Sequence, residues 1–196
     1  MTSFVLVLLA AYLIGAIPTG LLLTRLTGGG DIRQTGSGNI GATNVYRTGG
    51  PKLGVLTLIG DAFKGLLPVL LASTLLDYDP IHTGAVAVAA FLGHCFPVYL
   101  GFKGGKGVAT ALGIYLVLSP LAVLGAFLIF AGLVWKLRYI SVGSISAAAA
   151  IPLLVWLTTR SLPLLLTTIV ISSIVVLRHR TNIQRLFAGT ENKFKA

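Results

Sequence analysis

Long apolar runs separated by short polar segments dominate the pattern of this chain. Residues 1–24 contain no charged side chain, and the run ends at Arg25. Because about 20 apolar residues in a helix cross the hydrocarbon layer of a bilayer, each such run predicts a membrane-spanning helix. The first run lacks the positive start and the small-residue cleavage pattern of a removable signal peptide, so we expect it to remain as a span.

The same pattern repeats to the end of the chain, with one ambiguous stretch. Residues 107–135 are 29 uncharged residues, which is long for one crossing and short for two. A turn at Ser119–Pro120 resolves this, because proline readily ends a helix and because a hairpin keeps the later basic residues on one side. The predicted spans are residues 1–24, 53–76, 81–100, two short helices within 107–135, 140–158 and 161–178.

Basic residues set the predicted orientation. On this topology thirteen of the fifteen Lys and Arg residues lie on one side, with Lys64 inside a helix and Arg160 on the other side. The positive-inside tendency makes the basic side cytoplasmic, so we expect the N-terminus outside and the C-terminus inside. The predicted fold is an all-α polytopic membrane protein with seven transmembrane helices and a single domain over residues 1–196. Its C-terminal basic residues are Arg178, Arg180, Arg185, Lys193 and Lys195.

Composition excludes a water-soluble globular fold. The chain is 55% apolar and only 10% charged, whereas soluble domains carry about 25% charged residues. A net charge of +10 on a soluble protein would suggest nucleic-acid binding, but here the bases lie between apolar runs, so we expect no nucleic-acid partner. The lone Cys95 lies in an apolar run and is interpreted as a small core residue.

The first polar segment with candidate chemistry is residues 36–47, which is rich in glycine and ends at Arg47. Its glycines spell GxGxxG, but no strand precedes them, which excludes a dinucleotide site. Glycine lets backbone N–H groups approach an anion, and arginine offers a planar fork suited to phosphate. Taken alone, a polar turn anchored at lipid headgroups is the simpler interpretation.

The second segment places two lysines in a glycine-rich turn before a helix that we expect to start near Val108. It lacks the Walker A spacing and a nearby acid for magnesium, so ATP is disfavoured. The free N–H groups and positive dipole end of a helix start form an anion site, and anchoring at the membrane edge does not require the glycines. We therefore predict phosphate binding here, and a structural, hydrogen-bonded role for His94.

The third segment is the basic cluster that follows the last span. His179 and Asn182 share one face if the helix continues, and Glu191 is the only carboxylate in the tail. Contact with lipid headgroups is the alternative explanation of this cluster. Asp61 and Lys64, spaced to meet on one helix face, are interpreted as a structural ion pair. No metal-ligand spacing and no GxSxG elbow are present, so we expect no metal and no serine nucleophile.

Taken together, the three segments resemble the bacterial integral-membrane acyl-phosphate:glycerol-3-phosphate acyltransferases of the PlsY type. The matching motifs are Ser37-Gly38-Asn39 through Asn44 and Arg47, Gly93-His94 through Phe102-Lys103-Gly104-Gly105-Lys106-Gly107 and Ala109-Thr110, and His179-Arg180 with Asn182-Ile183, Arg185, Gly189 and Glu191. The resemblance implies that the 1-hydroxyl of sn-glycerol-3-phosphate attacks the carbonyl of a fatty acyl phosphate. The expected products are lysophosphatidic acid and inorganic phosphate, in the first step of bacterial phospholipid synthesis at the cytoplasmic face of the inner membrane, without a cofactor.

The resemblance also suggests roles for individual residues. The expected catalytic residues are Ser37, Arg47, Lys106, His179 and Asn182. The expected substrate contacts are Asn39, Asn44, Lys103, Gly104, Gly105, Gly107, Val108, Ala109, Thr110, Arg180 and Glu191. The stretch 104–110 would cradle the acyl phosphate, with Lys106 touching both substrates, while Ser37, Arg47 and Asn182 hold glycerol phosphate. His179 would bind phosphate or act as the base, and the departing phosphate is the other candidate base.

Two other function classes account less well for the sequence. A transporter or flippase for a phosphorylated small molecule would need polar residues along a route through the membrane and pseudo-symmetric halves. The outer half of the predicted spans offers almost no such residues, and the halves do not match. A non-enzymatic lipid-binding scaffold would leave the glycine-rich turn unexplained.

Overall fold

The computed structural model describes residues 2–194, without the side chain of Thr2, so Lys195 of the predicted basic cluster lies outside the described residues. Within this range the chain forms ten α-helices and no β-strand, which confirms the predicted all-α class. The helices are α1 (Thr2–Ala16), α2 (Thr19–Leu26), α3 (Ala42–Gly49), α4 (Pro51–Thr74), α5 (Pro80–Cys95), α6 (Val108–Leu118), α7 (Pro120–Leu137), α8 (Ile140–Thr159), α9 (Leu162–Arg178) and α10 (Arg180–Phe187).

Four of the described helical segments are long and apolar enough to cross a membrane: α4, α5 with its following 3₁₀ turn, α7 and α8. Two bent pairs, α1–α2 at 44° and α9–α10 at 51°, raise the number to six if each pair is one broken span. The eleven residues of α6 extend only about 16 Å, against a hydrocarbon layer of about 30 Å. The count of seven crossings and the orientation of the termini therefore stay predictions.

The first predicted span is broken rather than continuous. The first helix ends at Ala16 and the next begins at Thr19, because Pro18 has no N–H to continue the helical hydrogen bonds. Thr19 N instead donates to Ile17 O at 3.0 Å. The predicted turn at Ser119–Pro120 is confirmed, and there Ser119 Oγ accepts a hydrogen bond from Ala122 N as the cap of α7.

Contacts divide the chain into two compact units, residues 2–117 and 118–194, while the single domain predicted over residues 1–196 stays a prediction. In the first unit α1 packs against α5 through glycine. A Cβ on Gly15 would lie 2.0 Å from Ala90 O, and one on Gly93 would lie 2.2 Å from Tyr12 O. Such close backbone approach is typical of packed membrane helices, where small residues replace bulky ones at the interface.

In the second unit α8 packs against both α7 and α9. Ser172 Oγ of α9 donates to Ala148 O of α8 at 2.6 Å. Gly143 gives α8 a close approach to α7, since a Cβ there would lie 3.0 Å from Phe130 O. Large apolar side chains such as Leu121 and Trp135 stay exposed on the outside of α7, as expected for a helix that faces lipid.

Candidate functional site

Asn44, in the first turn of α3, organises the first polar loop, which connects α2 to α3. Its buried Nδ2 lies 2.9 Å from Asn39 O, 3.1 Å from Thr35 O and 3.2 Å from Ile32 O. Its Oδ1 accepts a hydrogen bond from Ser37 N at 2.8 Å. Because both polar atoms of the amide are bound to loop backbone, Asn44 holds the conformation of the loop, while the substrate contact expected from the sequence stays a prediction.

Two glycines shape the tip of this loop around Ser37. Gly36 and Gly38 have φ angles of +59° and +69°, which side-chain-bearing residues rarely adopt. Asn39 Oδ1 accepts from Gly41 N at 2.8 Å just before α3 begins. The result is an ordered tip on which Ser37 is exposed, with Arg47 also exposed on α3.

Asp31 anchors the start of the loop to the end of α2. Arg33 Nη2 lies 2.6 Å from Asp31 Oδ2, and Arg25 Nη2 lies 3.0 Å from the same oxygen. The hydrogen bonds from Arg33, with a further one from Arg25, hold the pKa of Asp31 far below its usual range. Asp31 is therefore ionised at neutral pH and forms ion pairs with Arg25 and Arg33, which are not part of the loop tip around Ser37.

The second polar loop, which is rich in glycine and connects α5 to α6, folds back on the end of α5. Gly105 N donates to His94 O at 3.1 Å. A Cβ on Gly104 would lie 2.2 Å from His94 O, one on Gly105 2.2 Å from His94 Nε2, and one on Gly107 2.2 Å from the Phe91 ring. The glycines are thus required by packing, a reason the sequence did not reveal. An anion cradle remains compatible with this packing.

The start of α6 presents backbone donors and two lysines. Helix α6 begins at Val108, as predicted, so the N–H groups of Val108, Ala109 and Thr110 have no acceptor inside the helix. The Thr110 hydroxyl is fully buried, and within residues 2–194 it has no hydrogen-bond partner. Lys106 is half-buried and Lys103 is exposed. Helix N-termini with nearby cations attract anions, so this arrangement suits a phosphate group.

One small apolar cluster supports both loops of the first unit. Its buried members come from α2, the first loop and α3, and the partly buried Leu100, just before the second loop, packs against it. The buried residues are Leu21, Ile32, Ile40 and Val45. The two polar loops are therefore anchored on the same apolar cluster.

In the second unit, His179 lies at the break between α9 and α10. The two helices meet there at a bend of 51°. The helix therefore does not continue straight through His179, which was the condition for His179 and Asn182 to share one helical face. His179 is buried, and its Nδ1 lies 2.8 Å from Val175 O. Because a carbonyl oxygen only accepts, Nδ1 carries a hydrogen, and in the neutral ring the lone pair belongs to Nε2.

Glu191 accepts hydrogen bonds from three residues on two helices, α8 and α10. Its Oε1 accepts from Asn182 Nδ2 at 2.6 Å and from Ser141 Oγ at 2.8 Å, and its Oε2 accepts from Arg185 Nε at 2.7 Å. Burial raises the pKa of Glu191, but the hydrogen bonds from Asn182, Arg185 and Ser141 outweigh it, so the net pKa is lowered. The ionised carboxylate fixes the Asn182 amide.

The tail beyond α10 is tied to the α7–α8 junction as well. Phe194 N donates to Arg138 O at 2.6 Å, and Lys193 Nζ lies 5.8 Å from the centre of the Tyr139 ring. Arg180 at the start of α10 is exposed. Sequence reasoning missed Ser141, whose only signal is a polar residue in the first turn of a predicted span, 50 positions before Glu191.

The donors in both units are those of anion sites. Across residues 2–194, no three His, Cys, Asp or Glu residues lie together as a metal-ligand set. The molecule is thus an all-helical protein of the integral-membrane class, whose polar loops carry cations, amides and free helix N–H groups. Such groups bind phosphate groups.

Comparisons with known proteins define the class further. A family model described as glycerol-3-phosphate acyltransferase matches residues 5–189. The glycerol-3-phosphate acyltransferase of Syntrophotalea carbinolica is 70% identical over the whole of both chains, and that of Geobacter sulfurreducens is 60% identical over 95% of each. The chain belongs to the glycerol-3-phosphate acyltransferase family, which confirms the resemblance seen in the sequence.

Solved structures agree with this assignment. The glycerol 3-phosphate form of PlsY, an integral membrane glycerol 3-phosphate acyltransferase, is similar with a TM-score of 0.94 and 41% identity, over 98% of this chain and 96% of that chain. A lysophosphatidic acid form of PlsY is similar with a TM-score of 0.91 and 40% identity over the same shares. The chain is therefore an integral-membrane enzyme of this acyltransferase family.

Proposed function

We propose that this acyltransferase uses a fatty acyl phosphate as donor and makes lysophosphatidic acid. The glycerol-3-phosphate 1-hydroxyl attacks the acyl carbonyl, the carbon–oxygen bond to phosphate breaks, and inorganic phosphate leaves. The observation that carries the proposal is the start of α6, where free N–H groups, a buried threonine hydroxyl and Lys106 suit a phosphate group. The existence of PlsY structures in glycerol 3-phosphate and lysophosphatidic acid forms supports the acceptor and product.

The proposed roles follow the chemistry of each residue. Lys103, Lys106 and the backbone of 104–110 bind the acyl phosphate. Ser37 and Arg47 bind glycerol phosphate, because the arginine fork matches a phosphate edge and the exposed loop tip is fixed. Asn39 and Asn44 are positioning residues that hold that tip.

The C-terminal segment supplies the remaining roles. Asn182 contributes to the glycerol phosphate site, Arg180 adds positive charge, and Glu191 positions Asn182. His179 receives the proton of the attacking hydroxyl at Nε2, since Nδ1 is bound to Val175 O. Because phosphate is a good leaving group, positioning and charge stabilisation are sufficient and no enzyme nucleophile is needed.

We also propose that the site lies at the cytoplasmic face of the bacterial inner membrane, in a seven-span chain with its N-terminus outside. The distribution of thirteen of fifteen bases to one side of the predicted topology supports this orientation. An acyl phosphate with its chain in the bilayer would reach such a site from the lipid, while glycerol-3-phosphate would arrive from the cytoplasm.

A donor comparison tests the proposal. The purified full chain is given radiolabelled glycerol-3-phosphate with palmitoyl phosphate or with palmitoyl-CoA. We expect labelled lysophosphatidic acid only from palmitoyl phosphate, and product from palmitoyl-CoA alone would refute the donor assignment. Lys106→Gln should abolish most of the activity, whereas Lys52→Gln, at an exposed lysine in the first turn of α4, serves as the matched control and should keep it.

A further inference from the structure

A buried ion cluster lies within the first unit, on residues to which the proposed chemistry assigns no role. Asp61, Lys64 and His94 are only 2%, 4% and 3% exposed. Lys64 Nζ lies 2.9 Å from Asp61 Oδ1. His94 Nδ1 lies 3.8 Å from the same oxygen, close enough for charge attraction to a protonated ring and longer than a hydrogen bond. The predicted ion pair of Asp61 and Lys64 is thus confirmed, with His94 beside it.

The cluster also satisfies the broken end of α1. Lys64 Nζ donates to Ile17 O at 2.6 Å, next to Pro18, which has no N–H. The carboxyl end of a helix carries partial negative charge, so a buried ammonium group is well placed there. Lys64 therefore joins three elements: α4, the α1–α2 break and, through Asp61, the end of α5.

Two contacts connect the cluster to the proposed acyl phosphate site. His94 supports the glycine-rich loop, since Gly105 packs on its ring without room for a Cβ and donates to its carbonyl oxygen at 3.1 Å. Gly65, the neighbour of Lys64, packs on the start of α6, where a Cβ would lie 2.3 Å from Thr110 O. A shift in the cluster would therefore displace both the loop and the helix start.

The buried charges of Asp61 and Lys64 are not explained by a contribution to the stability of the fold. A buried ion pair loses so much hydration that replacing it with apolar residues of similar volume is often neutral or stabilising. Ionisable groups inside a membrane protein are rare unless they serve a function. Resting on the proposed acyl phosphate role of this loop, we propose that Asp61, Lys64 and His94 are positioning residues that set the Gly104–Lys106 loop and the start of α6 for the acyl phosphate.

The test replaces the ion pair by apolar side chains in the full-length enzyme. The double variant Asp61→Leu, Lys64→Met is compared with His94→Asn and with Asp79→Asn, which alters the exposed Asp79–His82 ion pair of α5 and serves as control. Measurements are the melting temperature, kcat and KM for each substrate, and hydrogen exchange of residues 101–110.

We expect the double variant to melt within a few degrees of the wild type. Its kcat/KM for palmitoyl phosphate should fall between about tenfold and a hundredfold, because small misplacements of a binding group have effects of this size. KM for glycerol-3-phosphate should change less than about twofold, and exchange of residues 101–110 should accelerate. His94→Asn should likewise lower kcat/KM for palmitoyl phosphate with little change in KM for glycerol-3-phosphate. Asp79→Asn should match the wild type in all these measurements.

Unchanged kinetics in a folded double variant, or equal losses for both substrates that follow the folded fraction, would overturn the inference. If the double variant does not purify folded, His94→Asn decides by the same criteria. Failure of the proposed function is distinguishable, because it shows in the wild type as absence of product from palmitoyl phosphate. The exchange measurement does not depend on the identity of the donor.

Discussion

Replacing Glu191 removes the acceptor that three donors share, so Glu191→Ala gives a sharp prediction. The change leaves Asn182 Nδ2 and Ser141 Oγ, both on buried residues, without their carboxylate. An unsatisfied buried donor costs about 1–3 kcal/mol. The Arg185 ion pair adds less than about 1 kcal/mol, since the arginine side chain is 36% exposed. The tail borders water, so we expect a total loss of roughly 2–4 kcal/mol.

Glu191→Gln separates the charge from the shape. The amide oxygen still accepts from Asn182 and Ser141, while the amide nitrogen turns toward Arg185, so only the ion pair is lost. At roughly 2–4 °C per kcal/mol for a chain of this size, the alanine variant should melt roughly 4–16 °C below the wild type, and the glutamine variant should melt at most roughly 2–4 °C below it. KM for glycerol-3-phosphate should rise in the alanine variant, because Asn182 loses the acceptor that fixes its orientation. It should change little in the glutamine variant, which keeps that acceptor.

The pH dependence has a definite sign. Hydrogen bonding lowers the pKa of Glu191, so its ionised form stabilises the fold above the ordinary glutamate pKa and this stabilisation is lost as the pH falls through the lower folded value. The difference in melting temperature between the wild type and Glu191→Gln should have its full size at pH 7 and should decrease below about pH 4. Equal melting temperatures of wild type and Glu191→Ala at pH 7, with equal KM values, would refute the reasoning.

Four further substitutions test separate parts of the account. Asn44→Ala removes the amide that binds the first loop, so the melting temperature should fall by an amount equivalent to about 2–3 kcal/mol and KM for glycerol-3-phosphate should rise; no change in either would contradict its positioning role. Arg47→Lys keeps the charge but loses the fork, and a titration should show KM for glycerol-3-phosphate about tenfold higher, whereas an unchanged KM would argue against bidentate binding. His179→Gln should lower kcat by about 10²–10⁴ with little change in KM, and an unaltered kcat at saturating substrate would make the departing phosphate the base. Gly107→Ala introduces a Cβ at a φ of +82° against the Phe91 ring, so thermal unfolding should occur several degrees earlier, and a wild-type melting curve would disprove the packing argument.

Helix limits were largely predictable because apolar runs, prolines and bases mark them. The start of α6 at Val108 and the turn at Ser119–Pro120 both lie where the sequence placed them. The break at Pro18 was also marked by a proline, but an uncharged run of 24 residues favoured one continuous span. No proline or glycine marks the bend at His179, which arises where its N–H and Nδ1 both bond back to α9.

The candidate site was predictable in its residue types and less so in its contacts. The glycines at 104, 105 and 107 predict an anion loop, which stays a prediction. The sequence does not reveal that their closest neighbours are His94 and Phe91 from a preceding helix. The substrate contact that the sequence predicts for Asn44 stays a prediction, and the sequence does not reveal that the Asn44 amide binds carbonyls 5 to 12 positions earlier. Such contacts depend on packing between distant segments, which local patterns in a single sequence do not encode.

The central claim is that both phosphorylated substrates are held together and react directly, without an acylated enzyme. Initial velocities of the purified enzyme, measured while palmitoyl phosphate and glycerol-3-phosphate are varied against each other, test it most directly. Direct transfer predicts double-reciprocal lines that intersect, because both substrates must be bound before the acyl group moves. Parallel lines, together with phosphate release before glycerol-3-phosphate is added, would show an acyl-enzyme and contradict the account.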